Sequence, residues 1–234
     1  TAPSPNWIAF MANIFPKATN LIVLKAMFVL SIVGGLATAG VWYYFTPKYS
    51  RVGYQPVQPV AFDHKLHVGQ LGMDCRYCHS FVEVSGHSNY PSTQTCMNCH
   101  RDVDKNNPKL QPVRDSWASG KPIEWVKIHN VPDYAYFNHS AHVNRGVSCV
   151  TCHGQVNDMN VVWQHESQSM GWCLNCHRNP QEYVRPIAAA KPGEQSPIYN
   201  LDWTAPNGKQ DELGKKLVHD WKINPPKDCA GCHR

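Results

Sequence analysis

Between Ala26 and Phe45 the chain runs for twenty residues without a charged side chain, through Met27, Val29, Leu30, Ile32 and Val33 to Trp42, Tyr43, Tyr44 and Phe45. As a helix that length covers about 30 Å, the thickness of a bilayer's hydrocarbon core. The closing aromatic cluster suits the bilayer interface. The pattern predicts one membrane-spanning anchor helix over 26–45, preceded by an N-terminal tail over 1–25. The competing reading is a cleaved leader with its processing site at Ala37, Thr38 and Ala39, but the apolar run continues past that point, so a retained anchor is expected. Ser31, Gly35 and Ala39 recur every four residues and form a small-residue stripe that another helix can approach closely. Lys17 and Lys25 precede the span and Lys48 and Arg51 follow it, so counting positive charges does not choose an orientation.

Beyond residue 45 the pattern changes. The chain holds 18 prolines and 15 glycines, and the stretch 179–228 in particular shows little periodicity. Loops and short helices are expected there rather than long regular elements. The ten cysteines fall into five Cys-x-x-Cys-His motifs: Cys75, Cys78 and His79; Cys96, Cys99 and His100; Cys149, Cys152 and His153; Cys173, Cys176 and His177; Cys229, Cys232 and His233. None is left for a disulfide or a free nucleophile. Each motif has the form that attaches a c-type haem through two thioethers and one axial imidazole. The cofactor content expected is therefore five covalently bound haem c, about one per 38 residues of 46–234, a density at which the macrocycles themselves form the core. The fold class expected is a multihaem cytochrome c, with low regular secondary structure, short helices and loops around a haem cluster, plus one N-terminal transmembrane helix.

Attachment of this kind takes place outside the cytoplasm. That places the haem domain, 46–234, on the periplasmic side of the inner membrane and the tail 1–25 in the cytoplasm. The formal charge of +5 falls by about one unit for each ferric haem with ionised propionates and about two for each ferrous one. The basic balance is thus cancelled, no long basic run exists, and nucleic acid is excluded as a partner.

The outer part contains a duplication. Phe62, His64 and His67 precede the first two motifs, and Phe137, His139 and His142 precede the third and fourth, with a spacing of 75 residues between equivalents. The dihaem modules run over about 60–101 and 135–178, leaving 179–234 as a C-terminal segment carrying the fifth motif. Each motif histidine fills one axial position, and the opposite face needs a second strong ligand for fast electron transfer. His64, His67, His139 and His142 are the first candidates, and His129, just ahead of the second module, is ranked fifth. His87, His165 and His219 lie nine, eight and ten residues before their next cysteines and stay open by spacing. Met170 and Met159 are alternative thioether ligands, either of which would raise the potential of its haem.

The strings FDHKLHVGQLGMDCRYCH, PSTQTCMNCHR, YFNHSAHVNRGVSCVTCHG and SMGWCLNCHR resemble the pentahaem ActA subunit of bacterial alternative complex III, with the likeness running from about Ala26 to Arg234. The modules are similar to those of multihaem cytochromes c3 and c7. The resemblance implies a redox subunit, not catalytic alone, of a quinol:electron-acceptor oxidoreductase. Its implied partners are integral membrane quinol-binding subunits, an iron–sulfur subunit, a monohaem cytochrome subunit and a soluble periplasmic electron acceptor. It also implies that His64 serves the haem at Cys75 and Cys78 and His139 the haem at Cys149 and Cys152, while His67 and His142 cross to other haems. Other readings are a self-sufficient, membrane-anchored quinol dehydrogenase, a multihaem reductase enzyme, and a purely structural subunit.

Overall fold

The computed structural model describes residues 16, 18–45, 51–189 and 191–233. Most of the tail expected over 1–25, and Lys48 beyond the span, lie outside the described residues. The chain divides into two compact units, 1–49 and 50–234.

The first unit is built on helix α1, Thr19–Phe45. It begins seven residues ahead of the uncharged run and ends where that run ends. Within it Leu21–Phe45 is long and apolar enough to cross a membrane. Helical hydrogen bonding continues through the polar residues at an interface, and Lys25 in the extension has a long apolar stem that lets its ammonium reach water. Ser31, in the middle of the apolar stretch, donates its hydroxyl to the Met27 carbonyl at 2.8 Å, so that hydroxyl is paired within the helix.

The second unit is all-helical, with no strand among the described residues and two isolated antiparallel bridges, Ala135 to His233 and Val147 to Val184. Its helices are α2 (Cys75–Cys78), α3 (Thr93–His100), α4 (Gln111–Ser119), α5 (His139–Val143), α6 (Cys149–His153), α7 (Met170–Arg178), α8 (Gln210–Asp220) and α9 (Cys229–Cys232). Every Cys-x-x-Cys pair therefore sits in a helix, where residues three apart share a face and both sulfurs point the same way. Capping starts several of these short helices: Asp74 accepts from Arg76 N at 2.8 Å, Asn138 from Ala141 N at 3.3 Å, Ser169 from Trp172 N at 3.3 Å and Asp228 from Gly231 N at 2.8 Å.

Apolar packing between side chains is sparse. One cluster joins Val82, Val143, Ile198 and Tyr199 against Cys75 and Cys149; another joins Val60, Met97 and Val113 against Cys96, Leu110, Ile123 and Trp125. Cysteines border both, as expected where a cofactor supplies much of the buried surface. The segment 179–228 wraps the modules. Ile198 and Tyr199 enter the first cluster, and the Ile198 carbonyl accepts from Ser148 Oγ at 2.6 Å. Helix α8 lies against the turn Pro180–Glu182, and Gly214 makes the close approach possible, since a Cβ there would overlap the Gln181 carbonyl.

Candidate haem centres

In both modules the phenylalanine of the Phe-x-His-x-x-His block holds two imidazoles. Phe62 lies face to face with His67 (centroids 4.4 Å, 23°) and edge-on to His64 (4.7 Å, 82°). Phe137 repeats this with His142 (4.8 Å, 26°) and His139 (4.7 Å, 85°). The backbones differ, because His67 lies in a π-helical turn, Lys65–Gln70, and His142 in α5. Even so, each second histidine bonds back to the carbonyl four residues earlier: His67 Nδ1 to Asp63 at 2.7 Å and His142 Nδ1 to Asn138 at 2.7 Å.

Four further imidazoles are oriented in the same way. His79 Nδ1 donates to the Asn89 carbonyl at 2.9 Å, His100 to Val103 at 3.1 Å, His139 to Gly86 at 3.1 Å and His177 to Pro226 at 2.7 Å. A carbonyl only accepts, so in all six rings Nδ1 carries the proton and the Nε2 lone pair is left for a metal. The largely buried rings are kept neutral. Burial first, and neighbouring imidazoles second, hold His64 and His129 down at about 4 and His153 at about 3. Burial also lowers His139 and His142.

An iron between two imidazole nitrogens, at about 2 Å from each, sets the ring centres roughly 6 Å apart. The pair His67 and His100 stands at 6.2 Å, His142 and His177 at 6.1 Å, and His139 and His153 at 6.5 Å with the rings within 11° of parallel. A cleft lined by His142, His177, Cys173, Cys176, Trp172 and Phe137 lies between one such pair. Among neighbouring imidazoles His79 acts most strongly on His64, whose buried Nδ1 has no partner. These donors fit c-type haem: paired sulfurs on one helical face, neutral imidazoles, and ring gaps of the right width.

The remaining candidates are distributed unevenly. His129 lies 4.3 Å from His153 at 74°, too close for an iron between them, with its buried Nε2 unpaired. His165 packs on Gly154 (φ +70°), where a Cβ would meet its ring, and stands 3.7 Å from Glu166 Oε1. His219 is on the exposed face of α8 beside Asp220 at 3.2 Å. His87 lies in the loop after α2, its N–H donating to Ser85 Oγ. Met159 is buried among protein side chains, while Met170 opens α7 with 66% of its surface exposed. Beside His233 the neighbouring ring is Tyr134, at 5.8 Å.

The motifs adjoin in a definite order. Cys75 and Cys149 pack against the same apolar cluster, which brings the first motif beside the third. Asn98 Nδ2 donates to Tyr77 Oη at 3.1 Å, which joins the first to the second. Cys152 lines the cleft of the fourth motif, and the segment just ahead of the fifth holds His177 through Pro226. The acceptor carbonyls of Asn89, Gly86 and Pro226 are functional features that the sequence reading missed. No residue type marks them, because every residue has a carbonyl.

A family model described as "Cytochrome c7 and related cytochrome c" matches residues 60–115 and 135–234, which takes in both modules and the C-terminal segment. The chain is 32% identical over 146 residues to the menaquinone reductase multihaem cytochrome c subunit of Nitratidesulfovibrio vulgaris, covering 53% of this chain and 70% of that one. It is 30% identical over 111 residues to the acrylate reductase cytochrome subunit of Shewanella woodyi, covering 47% and 68%. Cytochrome c-552 of Maridesulfovibrio salexigens is 25% identical over 194 residues, which span only 39% of that protein.

Proposed function

Because the chain belongs to the family of cytochrome c7 and related cytochromes c, we propose that it is a pentahaem electron-transfer subunit of a membrane quinol:electron-acceptor oxidoreductase of the alternative complex III kind. The observation that carries this reading is the set of imidazole pairs at 6.1 to 6.5 Å. An iron held between such a pair would have no site open to a substrate. Haem so held supplies one-electron carriers that exchange electrons edge to edge without making or breaking substrate bonds. The protein's part is to fix each sulfur pair on a helix, keep the ligating rings neutral and aim their Nε2 atoms.

In this reading His67 serves the second motif, His142 the fourth, His139 the third and His64 the first. The adjacency of the motifs gives the order second, first, third, fourth, fifth, with the second and fifth at the two ends. Residues 26–45 anchor the subunit from a cytoplasmic N-terminus, and 46–234 lie in the periplasm. Its partners are integral membrane quinol-binding subunits, an iron–sulfur subunit and a monohaem cytochrome subunit, with a soluble periplasmic acceptor at the far end. Haem absorbance of the denatured chain should give five haems per polypeptide. In the purified complex, a quinol analogue should reduce them and a soluble cytochrome should reoxidise them. Fewer covalent haems would defeat the pentahaem reading, and tight binding of a quinone analogue to the isolated subunit would favour a self-sufficient quinol dehydrogenase.

The relative named as part of a menaquinone reductase supports a second reading, in which electrons run through the subunit toward a quinone. Net quinone reduction by the complex when it is supplied with a reduced soluble cytochrome would decide for it.

A further inference from the structure

We propose that the loop 85–89 of the first module positions axial imidazoles on two haems in different modules at once, with the Asn89 side chain as its lock. This rests on the reading of His79 and His139 as ligands of the first and third haems. The loop presents two carbonyls. That of Asn89 accepts from His79 Nδ1 at 2.9 Å, within the first module. That of Gly86 accepts from both the backbone N and the Nδ1 of His139, each at 3.1 Å, across the module boundary. The neighbouring Ser85 carbonyl accepts from Ser140 N at 3.1 Å, so the start of α5 is held by two successive carbonyls.

The side chain of Asn89 fixes the loop. Its Oδ1 accepts from Phe81 N at 3.0 Å, and its Nδ2 donates to the Cys78 carbonyl at 3.2 Å and toward Ser80 Oγ at 3.4 Å. One end of this clamp is thus a thioether cysteine of the first haem motif. Only a side chain with an acceptor and a two-hydrogen donor at one carbon meets all these groups. Hydrogen bonds to Nδ1 set the plane of a ligating imidazole and its basicity, so a shift of this loop reaches both irons. The second module places nothing like it at the equivalent spacing: ten residues after His153 comes Trp163.

The test uses Asn89→Ala in the full, haem-loaded chain, read by low-temperature electron paramagnetic resonance of the ferric protein. Two low-spin signals should shift their g values while the other haem signals hold. They should be the signals replaced by histidine–methionine signatures in His64→Met and His139→Met. Asn89→Asp keeps the acceptor and loses the donors, and should shift the same two signals by less. Unchanged g values with a lowered melting temperature would mean a merely structural role and overturn the proposal. A shift confined to the His64 haem would overturn it too, as would equal shifts in every signal. Failure of the underlying ligand reading looks different: His139→Met would then leave every wild-type low-spin signal intact.

Discussion

His142 shows what a single residue has to satisfy here. Its ring is stacked on Phe137, its Nδ1 is tied to the Asn138 carbonyl, and its ring centre lies 6.1 Å from that of His177. Substitution by methionine keeps a ligand but changes its kind. His142→Met should convert one haem to histidine–methionine ligation, visible as a new near-infrared charge-transfer band, and raise the potential of that haem alone. Phe137→Ala should disturb two haem signals, because both His139 and His142 lean on that ring; a change in only one would show the shared support to be idle. Away from the ligands, Asp74 caps α2, and the Arg76 guanidinium hydrogen-bonded to it holds its carboxyl below the ordinary 3.8 against the opposing effect of burial. The charge stabilises the folded chain fully above that ordinary value, and its contribution disappears as pH falls through the lower folded value. Asp74→Asn keeps the cap and loses the charge. It should therefore be slightly less stable than wild type at neutral pH, and equal to it in strong acid, as followed by circular dichroism during acid unfolding.

Among the elements, α8 depends on a single missing methyl group. Gly214→Ala places a Cβ on the Gln181 carbonyl, and the helix has to move. The gain in helix propensity of about 1 kcal/mol is outweighed by a strain of roughly 1–3 kcal/mol. The melting temperature should fall, and a rise would show that α8 slides freely. Sequence and structure agree best where chemistry restricts residue type. The Cys-x-x-Cys-His strings, the Phe-x-His-x-x-His blocks and the uncharged run ending at Phe45 are all legible, since sulfur, imidazole and an unbroken apolar surface have no substitutes. The start of α1 at Thr19 is not legible, because polar residues are compatible with both helix and tail. Nor is the role of the phenylalanines. The pattern repeats them, but only the ring geometry shows that each supports two histidines. His129 is read differently at the two levels: its place in the sequence makes it a fifth candidate ligand, and its packing 4.3 Å from His153 leaves no room for an iron between those two rings.

At the scale of the molecule, hydrogen bonds from imidazole rings tie the parts together. His139 reaches back into the first module, and His177 of the second reaches forward to Pro226, ahead of the last motif. The C-terminal segment is thus part of the environment of the fourth motif as well as the carrier of the fifth. Pro226 sits in 224–228, between α8 and α9, so deleting 224–234 should remove one haem by stoichiometry and also shift the spectrum of the fourth. Loss of one haem with the fourth unchanged would show that the Pro226 carbonyl is dispensable.

The interior thiols bear on the order of events during biogenesis. Burial pushes Cys152 up to about 12 and Cys176 to about 11, and thioether chemistry calls on the thiolate. A polypeptide that collapsed early would hide these sulfurs in an unreactive form. If porphyrins are joined to these sulfurs, joining them while the chain is still open would be favoured, and scarcity of haem at that moment should yield misassembled protein rather than a pool that can be loaded later.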